Sequence, residues 1–588
     1  MNNEPIKAVE TDEDDLDALS TPGEKETWDW MAKLFDDLRK AREDQWGEDY
    51  DPNDTRKFYW GDQYDVHLPS FKLPIVVNEA KTYILSEVSD LTDNPIKVYV
   101  QKDRSKGDRD EKVEQAIQAE WTNRNVDLEV MKAARDSLTM PGAFFGCFVK
   151  EERTGEKVLD VRALDPTCVY PDGDCTSDEN WNHVGYEEIQ DLVKIRADYP
   201  ERGWRVKPED AFSVKAPNAS PWYQFWKRWG HSSYKGPLSS AGTATRITGY
   251  VKARAAVLHL WIYDDAVEEV PEVKKDEQGN PVVDEQGQQI LTITTKKVYP
   301  NGRHIVAANG VVLYDDQYEF LGPFPIIRVL AEPDTHSFWL DKSPLDGVKA
   351  LFQAANKMES LVVENAIRLN SGLVIADADS GLKPGQLANM PGQVLLKRSG
   401  TQVQVVPPPQ FPESFTKIGQ MFRDMGARVL GWSQARLGAG NRGNVSAELT
   451  ETEISQAMGL TRLRARLLHH ACSKLVTQMF LRMAQYYTLP RAMPMVSSAS
   501  WHTVDWTPVL KPEDYAVHVD PASFMLRSKT MLQRLTLQLS KMKLVSPEYT
   551  LKTLEMPDAV EEAKKGQQAQ QLAVAAHEAA KAQQKAKK

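Results

Sequence analysis

Residues 342–372 read KSPLDGVKALFQAANKMESLVVENAIRLNSG. Ser343 stands where an N-cap serine accepts a backbone N–H, and Pro344 fills the first helical position, where a missing N–H costs nothing. From there Leu345, Val348, Phe352, Ala355, Met358, Val362, Ala366 and Leu369 recur every three or four residues until Gly372. The spacing predicts one amphipathic helix of about 27 residues, a rod of roughly 40 Å at 1.5 Å per residue. Its opposite face carries Asp346, Lys349, Gln353, Lys357, Glu364 and Arg368, polar and of mixed sign, as suits water or the wall of a cavity. Because strand-like sequence precedes this helix and helical sequence follows it, the fold class expected is α+β and mostly helical.

Working back from the rod, Val257–Val329 alternates as strands do: VLHLWIY, an acidic Gly/Pro-punctuated insert (DEQGNPVVDEQGQQ, 276–289), LTITTKKVY, HIVAANGVVLY and PFPIIRVL. Further upstream, AFFGCFVKEE, a turn at Thr154-Gly155 and VLDVRALDPTCVYPDG predict a hairpin and a following loop. Helical periodicity is seen in WDWMAKLFDDLRKARE, with Trp28, Met31, Leu34 and Leu38 on one face. It returns in PIVVNEAKTYILSEVSDLTDNP, where Pro74 opens the pattern, Val77, Ala80, Ile84, Val88 and Leu91 carry it, and Asn94-Pro95 stops it. IKVYV then alternates as a strand, and Asp108–Leu138 reads as one long helix ending before Pro141-Gly142.

Downstream of the rod, PESFTKIGQMFRDMGARVLG predicts a helix, and Ser446 opens the longest one, to about Tyr487. Its stripe is Leu460, Leu463, Leu467, Ala471, Leu475, Met479 and Met483. On the order of 60 Å long, such a helix is rarely buried inside one globular domain. More helix is expected over 523–541 and 546–554, and the Ala/Gln/Lys-rich tail favours helix only when packed on a neighbour.

The chain has 588 residues, 84 acidic and 72 basic, for a net charge of −12. Nine of the acids (Glu4, Glu10, Asp12, Glu13, Asp14, Asp15, Asp17, Glu24, Glu26) crowd into residues 1–26 against Lys7 and Lys25, which predicts a solvated acidic arm. At 41% hydrophobic the composition excludes disorder of the whole chain. No run reaches the roughly 18 to 20 apolar residues of a membrane-spanning helix, and MNNEPIKAVETDEDD lacks the order of a signal peptide, so the expected place of synthesis is a cytoplasm. The four cysteines (Cys147, Cys168, Cys175, Cys472) read as reduced thiols. Net acidity argues against a free-standing, tight DNA binder, whose affinity would come from phosphate neutralisation.

Phosphate loops, nucleophile elbows, H-E-x-x-H and C-x-x-C are all absent from the sequence. Asp172, Asp174, Thr176 and Asp178 have calcium-like alternate spacing. Ser177 nevertheless stands where the turn glycine belongs, and His183 where a bidentate glutamate belongs, so a plain acidic turn is favoured. Cys168, Cys175 and His183 lack the close pairing of zinc ligands, and His469-His470 point in different directions on a helix. The run PWYQFWKRW (Trp222, Tyr223, Phe225, Trp226 and Trp229 around Lys227 and Arg228) suits a protein interface better than single-stranded nucleic acid or a membrane. No catalytic residues, no metal and no cofactor are expected.

In their order these pieces resemble the portal proteins of tailed bacteriophages, particularly the P22-like type. Three stretches carry the resemblance: PIVVNEAKTYILSEVSDLTDNPIKVYV, similar to an early wing helix ending in Asn-Pro before a strand; MKAARDSLTMPGAFFGCFVKEERTGEKVLDVRALDPTCVYPDG, similar to the helix, turn and hairpin that end in a loop, here Pro166, Val169 and Asp172; and the succession from Val257 to Gly372 of β-rich block, FPIIRV and long helix, similar to clip followed by stem. It spans roughly residues 60–490. The C-terminal 100 residues match only in being helical.

The resemblance implies a portal fold with wing, stem, clip and helical crown, assembled as a ring, usually a dodecamer. It implies a mobile arm at 1–26, wing at 27–220, an aromatic segment at 221–256 leading into a first stem helix, and clip at 257–340. The second stem helix falls at 341–372, wing and tunnel-loop region at 373–445, a long wing or crown helix at 446–490, and crown and tail at 491–588. Val348, Phe352, Ala355, Met358, Val362 and Leu369 would pack stem against stem, and Lys349, Lys357 and Arg368 are the candidates to face double-stranded DNA in transit. Implied partners are other copies of the chain, the terminase large subunit, a head-tail adaptor, and major capsid and scaffolding proteins, in a virion assembled in the host cytoplasm. Two other classes compete: a nucleic-acid-processing packaging enzyme, which lacks its phosphate loop here, and a membrane-associated ejection protein resting on PWYQFWKRW.

Overall fold

The computed structural model describes Gly566 and residues 22–553, except 47–49, 65–73, 103–107, 153–154, 176, 210, 213, 216–249, 274–290, 334–342, 371–372, 377–399, 401–402, 407–413, 433–435, 437–457, 497–500, 510, 521–528 and 543. Most of the acidic arm, the aromatic run Trp222–Trp229, the insert 276–289, the start expected for the long helix at Ser446 and nearly all of the tail lie outside the described residues.

Helices α1 (Pro22–Trp46), α2 (Pro52–Trp60) and α3 (Glu79–Thr92) lead into strands β1 (Val98–Lys102) and β2 (Asp108–Arg109), then α4 (Glu111–Asn123) and α5 (Val126–Thr139). The hairpin β3 (Ala143–Glu151) and β4 (Lys157–Leu164) precedes β5 (Val169–Pro171), β6 (His183–Asp191), α6 (Leu192–Asp198), β7 (Val214–Lys215) and β8 (Tyr250–Lys252). Next come β9 (Arg254–Ile262), β10 (Val267–Val273), β11 (Leu291–Lys297), β12 (Arg303–Ala308), β13 (Val311–Gln317) and β14 (Ile326–Val329). Then follow α7 (Asp346–Asn370), β15 (Leu373–Ala376), β16 (Val403–Val406), α8 (Ser414–Val429) and α9 (Gly459–Tyr486). Strands β17 (Arg491–Val496), β18 (Trp501–Trp506) and β19 (Tyr515–Val519) and helices α10 (Lys529–Lys541) and α11 (Pro547–Thr553) complete the described chain, an α+β protein. It divides into two compact units, one of residues 1–51, 164–328 and 334–341, the other of 52–163, 329–333 and 342–588.

The first unit is built on an antiparallel sheet in the order β13-β12-β9-β6-β5. Alternation along β9 decides its two faces. Leu258 and Leu260, with Tyr170, Ile305, Ala307 and Val312, receive Met31 and Phe35 of α1. Ala255 and Val257, with Val306, Ala308, Val311 and Leu313, receive Leu192 and Ile195 of α6 and Val206. Gly185 in β6 is required for the first packing, since a Cβ there would sit 2.8 Å from the Phe35 ring. This sheet joins residues 169–191 to 254–317, so the division expected at 221–256 between 27–220 and 257–340 does not partition it. β6 and β9 pair along their whole length, from His183↔Ile262 to Asp191↔Arg254. β10 and β11 form a hairpin of their own, Val267↔Lys297 to Val273↔Leu291.

In the second unit, α9 runs through the core. Ala465, Leu468, Ala471, Cys472, Leu475, Val476, Met479, Phe480 and Met483 are all buried, on more than one face, and so are Arg464 and Arg482. The single stripe expected from Leu460 to Met483 holds only from Ala471 onward; Leu460 is exposed, and Leu463 and Leu467 are half-buried. The helix is described from Gly459 to Tyr486, and the start expected at Ser446 lies outside the described residues. Its charged N-terminal turns are accommodated by a cluster: Glu87 of α3 accepts from Thr461 Oγ1 (3.0 Å), Arg464 Nη1 (3.1 Å) and Arg436 Nη2 (2.7 Å). Arg464 also donates to the Leu430 carbonyl at 3.2 Å, and Arg436 lies 3.8 Å over the Trp432 ring. The Glu87 carboxylate thus offsets the burial of the Arg436 and Arg464 guanidinium groups.

Two helices start or break differently from the pattern. α3 begins at Glu79, not Pro74, because Asn78 Oδ1 caps the N–H of Lys81 at 3.3 Å while Ile75 and Val77 donate elsewhere. The stretch 108–138 is the short strand β2 and then two helices, since Asn125 takes a left-handed conformation (φ 52°) between α4 and α5, a region asparagine tolerates better than most residues. β1 is clasped between β2 and β19, Val98 opposite Val519.

Candidate functional site

Helix α7 is fixed at its start by a reciprocal cap. Asp346 N donates to Ser343 Oγ (3.2 Å), and Ser343 N and Oγ donate back to Asp346 Oδ2 (3.0 and 2.8 Å). Thr55 Oγ1 adds a further bond to Asp346. The first half of the helix is then spent inside its own unit. Val348, Phe352 and Ala355 are buried, and α8 lies so close that a Cβ on Gly426 would reach 2.9 Å from the Phe352 ring. Asn356 accepts from Val77 N (3.1 Å) and donates to Gln63, while Ser360 Oγ accepts from Ile75 N (3.0 Å) and bonds Tyr64 Oη (2.7 Å). Arg423 of α8 bridges Glu359 and Glu79.

The other half of the helix is less enclosed. Met358 and Val362 are half-buried, and Leu361 and Ala366 are exposed. Beside the first half of α7, where Gly419 meets Met358 and Gly426 meets Phe352, Met421, Met425 and Val429 of α8 form an exposed i, i+4, i+8 stripe, at 45%, 43% and 56% exposure. Lys417 and Arg428 flank that stripe, both exposed. At the distal end β15 pairs antiparallel with β16, Leu373 opposite Val406, so the chain leaves along α7 and returns along α8.

Of the six residues expected to pack stem against stem, Val348, Phe352 and Ala355 therefore have no surface left for a second copy, because α8, Tyr83 and the segments holding Gln63–Tyr64 and Ile75–Val77 already fill that side. Met358 and Val362 retain some, and the side chain of Leu369 lies outside the described residues. Among the three candidate DNA-facing cations, Lys357 is exposed and Lys349 half-buried, while the side chain of Arg368 is not described. Positions 357 and 368 fall within about 20° of one line along the helix, and position 349 about 80° from it. Lys57, donating at 2.8 Å, and more weakly Lys349 hold the Asp54 carboxyl below the usual range.

The calcium-like loop is an Asx turn. Asp172 is buried, with Oδ1 accepting from Asp174 N and Oδ2 from Asn182 N, both at 3.1 Å. Burial pushes its carboxyl up, but those N–H groups outweigh it and the net shift is downward. Burial lowers His183, against the pull of Asp172. Thr176 lies outside the described residues, and among the described residues no three His, Cys, Asp or Glu side chains are grouped to hold a metal ion. His469 bonds the Val519 carbonyl (3.1 Å) and His470 faces water. The cluster Glu87, Asp90, Arg436, Thr461 and Arg464 was not foreseen; its members lie up to 377 residues apart and no local pattern marks them. No helix among the described residues is long and apolar enough to cross a membrane. Compared with known proteins, the chain matches no family model and no curated sequence.

Proposed function

We propose that the chain is a subunit of a phage-type portal, a ring at one capsid vertex through which double-stranded DNA is packaged and later ejected. The observation that carries the reading is the α7–α8 pair. Its inner side is locked by Phe352, Gly426 and Asn356, while its outer side leaves Leu361, Met421, Met425 and Val429 exposed. Apolar side chains in a row along a rigid helix pair suit packing against another copy. In that role α7 is the second stem helix and α8, from the segment that follows it, covers its inner side, with the interface on the α8 stripe and the distal half of α7. Lys357 and Arg368 would supply shallow, replaceable phosphate contacts, and the acidic surroundings keep DNA from being trapped.

By the same resemblance, residues 257–340 would meet first the terminase large subunit and later the head-tail adaptor, with capsid and scaffolding proteins around the ring. In this reading the protein is a conduit and docking platform in the virion, without catalysis. Electron microscopy of the purified full chain tests it. Rings with a central hole, dodecameric by resemblance, are expected; strictly monomeric particles at high concentration and across a range of salt would overturn it.

A further inference from the structure

The first unit carries a cationic aromatic patch beside the point where the acidic arm leaves it. After α6 the chain turns back, and Gly203 lies so close to that helix that a Cβ there would be 2.7 Å from the Ile195 carbonyl oxygen. This approach lays Trp204, 68% exposed, on Arg196, with the guanidinium 4.6 Å from the ring centroid. Arg196 has no carboxylate partner among the described residues, and its Nε is buried without a hydrogen bond. Burial alone lowers its pKa, with no anion to raise it. Val193, 65% exposed, adds apolar surface on the same short helix.

Two further arginines of this turn already hold an acid from the N-terminal segment. Glu24, in the first turn of α1, pairs with Arg202 (3.4 Å) and Arg205 (3.3 Å). Residues 1–21 therefore depart within a few residues of the patch. They carry seven carboxylates and one lysine, with Leu16 and Leu19 next to the densest acidic run, Asp12–Asp17. Twenty-one residues can reach up to roughly 70 Å when extended, so the patch is well within range. Tethering so near supplies an effective concentration on the order of millimolar.

We propose that residues 1–21 dock on the patch of Arg196, Trp204 and Val193, their carboxylates on Arg196 and their leucines on Trp204 and Val193, as an internal acidic strap continuing the Glu24 clasp. The strap screens the patch from other polyanions. This inference does not rest on the portal reading.

A fluorescein-labelled peptide of residues 1–21 is titrated by anisotropy into three proteins: the full chain, the chain lacking residues 2–20, and a full-length chain with Asp12, Asp14, Asp15 and Asp17→Asn and Glu13→Gln. At about 50 mM salt the last two are expected to bind the peptide at least about tenfold more tightly than the intact chain, whose own arm competes. Arg196→Ala or Trp204→Ala in the truncated chain should each weaken binding about tenfold, and about 0.5 M salt should abolish it. Amides of residues 193–206 should exchange with deuterium more slowly in the intact chain than in either altered form. Equal peptide binding by intact and truncated chains, binding indifferent to Arg196→Ala and Trp204→Ala, or identical exchange in all three proteins would each overturn the proposal.

Discussion

Helices α9 and α7 are similar in length, 28 and 25 residues, and each reads in sequence as an amphipathic rod with one apolar stripe. In the protein, α9 is buried along most of its length and on several faces, with Arg464 and Arg482 inside. α7 is buried only over its first half and opens toward water beyond Ser360. The difference teaches that a charged residue does not mark a solvent face once its partner comes from elsewhere in the chain. It also teaches that a continuous stripe can serve two purposes, its first half closing the unit's own core and its second half left over. α9 is the internal spine, and α7 with α8 is an inside seam with an outside surface.

The spine should be the most costly place to disturb. Glu87→Ala removes the buried carboxylate from Arg464 and leaves Arg436 only the half-buried Asp90, which costs about 3–5 kcal/mol, read as a lower denaturation midpoint. A loss under about 1 kcal/mol would mean that water reaches the cluster and that α9 is less internal than argued. The inner seam of α7 comes next. Gly426→Ala should cost about 1–3 kcal/mol by overpacking on Phe352, and adding Phe352→Leu should recover part of it. Additive losses in that double mutant would break the claim that this contact sets the helix separation.

The outer surface should behave in the opposite way. Met425→Asp is expected to change the stability of the single chain by no more than about 0.5 kcal/mol yet to prevent ring formation in electron micrographs. Val362→Asp, half-buried, should impair rings as well; intact rings in both variants would move the interface away from this face. The smallest effect sharpens the contrast by chemistry. Cys147 and Cys472 are buried, and burial pushes the Cys147 thiol up to about 11, leaving about one thiolate in a thousand at pH 8. Both should resist thiol reagents until unfolding, whereas a Leu361→Cys thiol should react in the monomer and be protected in rings.

Some of this was legible in the sequence and some was not. Ser343-Pro344, the apolar repeat from Val348 and the stop at Gly372 are local signals, and they located α7 within a residue or two. The break at Asn125 left no trace in periodicity, because one left-handed residue turns the axis without altering the spacing of apolar side chains. The burial of Arg464 was hidden because its partner Glu87 lies 377 residues away in sequence. The pairing of β6 with β9 was equally hidden, since a strand's sequence says that it pairs but not with which strand. For the candidate site, the direction of the α7 stripe was readable; that α8 already covers half of it depended on Gly419 and Gly426, two glycines in a helix whose value lies in the neighbour they admit.

The seating of α1 on the central sheet has a consequence in time. Met31 and Phe35 meet Leu258, Leu260, Ile305 and Val312, so this helix, once it leaves the ribosome, must wait for strands made more than two hundred residues later. At about 5–20 residues per second, that wait lasts roughly 15–55 s. Until Tyr170 and Gly185 are made the apolar face of α1 has no native partner, and its seat is complete only with Val312, which makes this helix the natural client of a chaperone during synthesis.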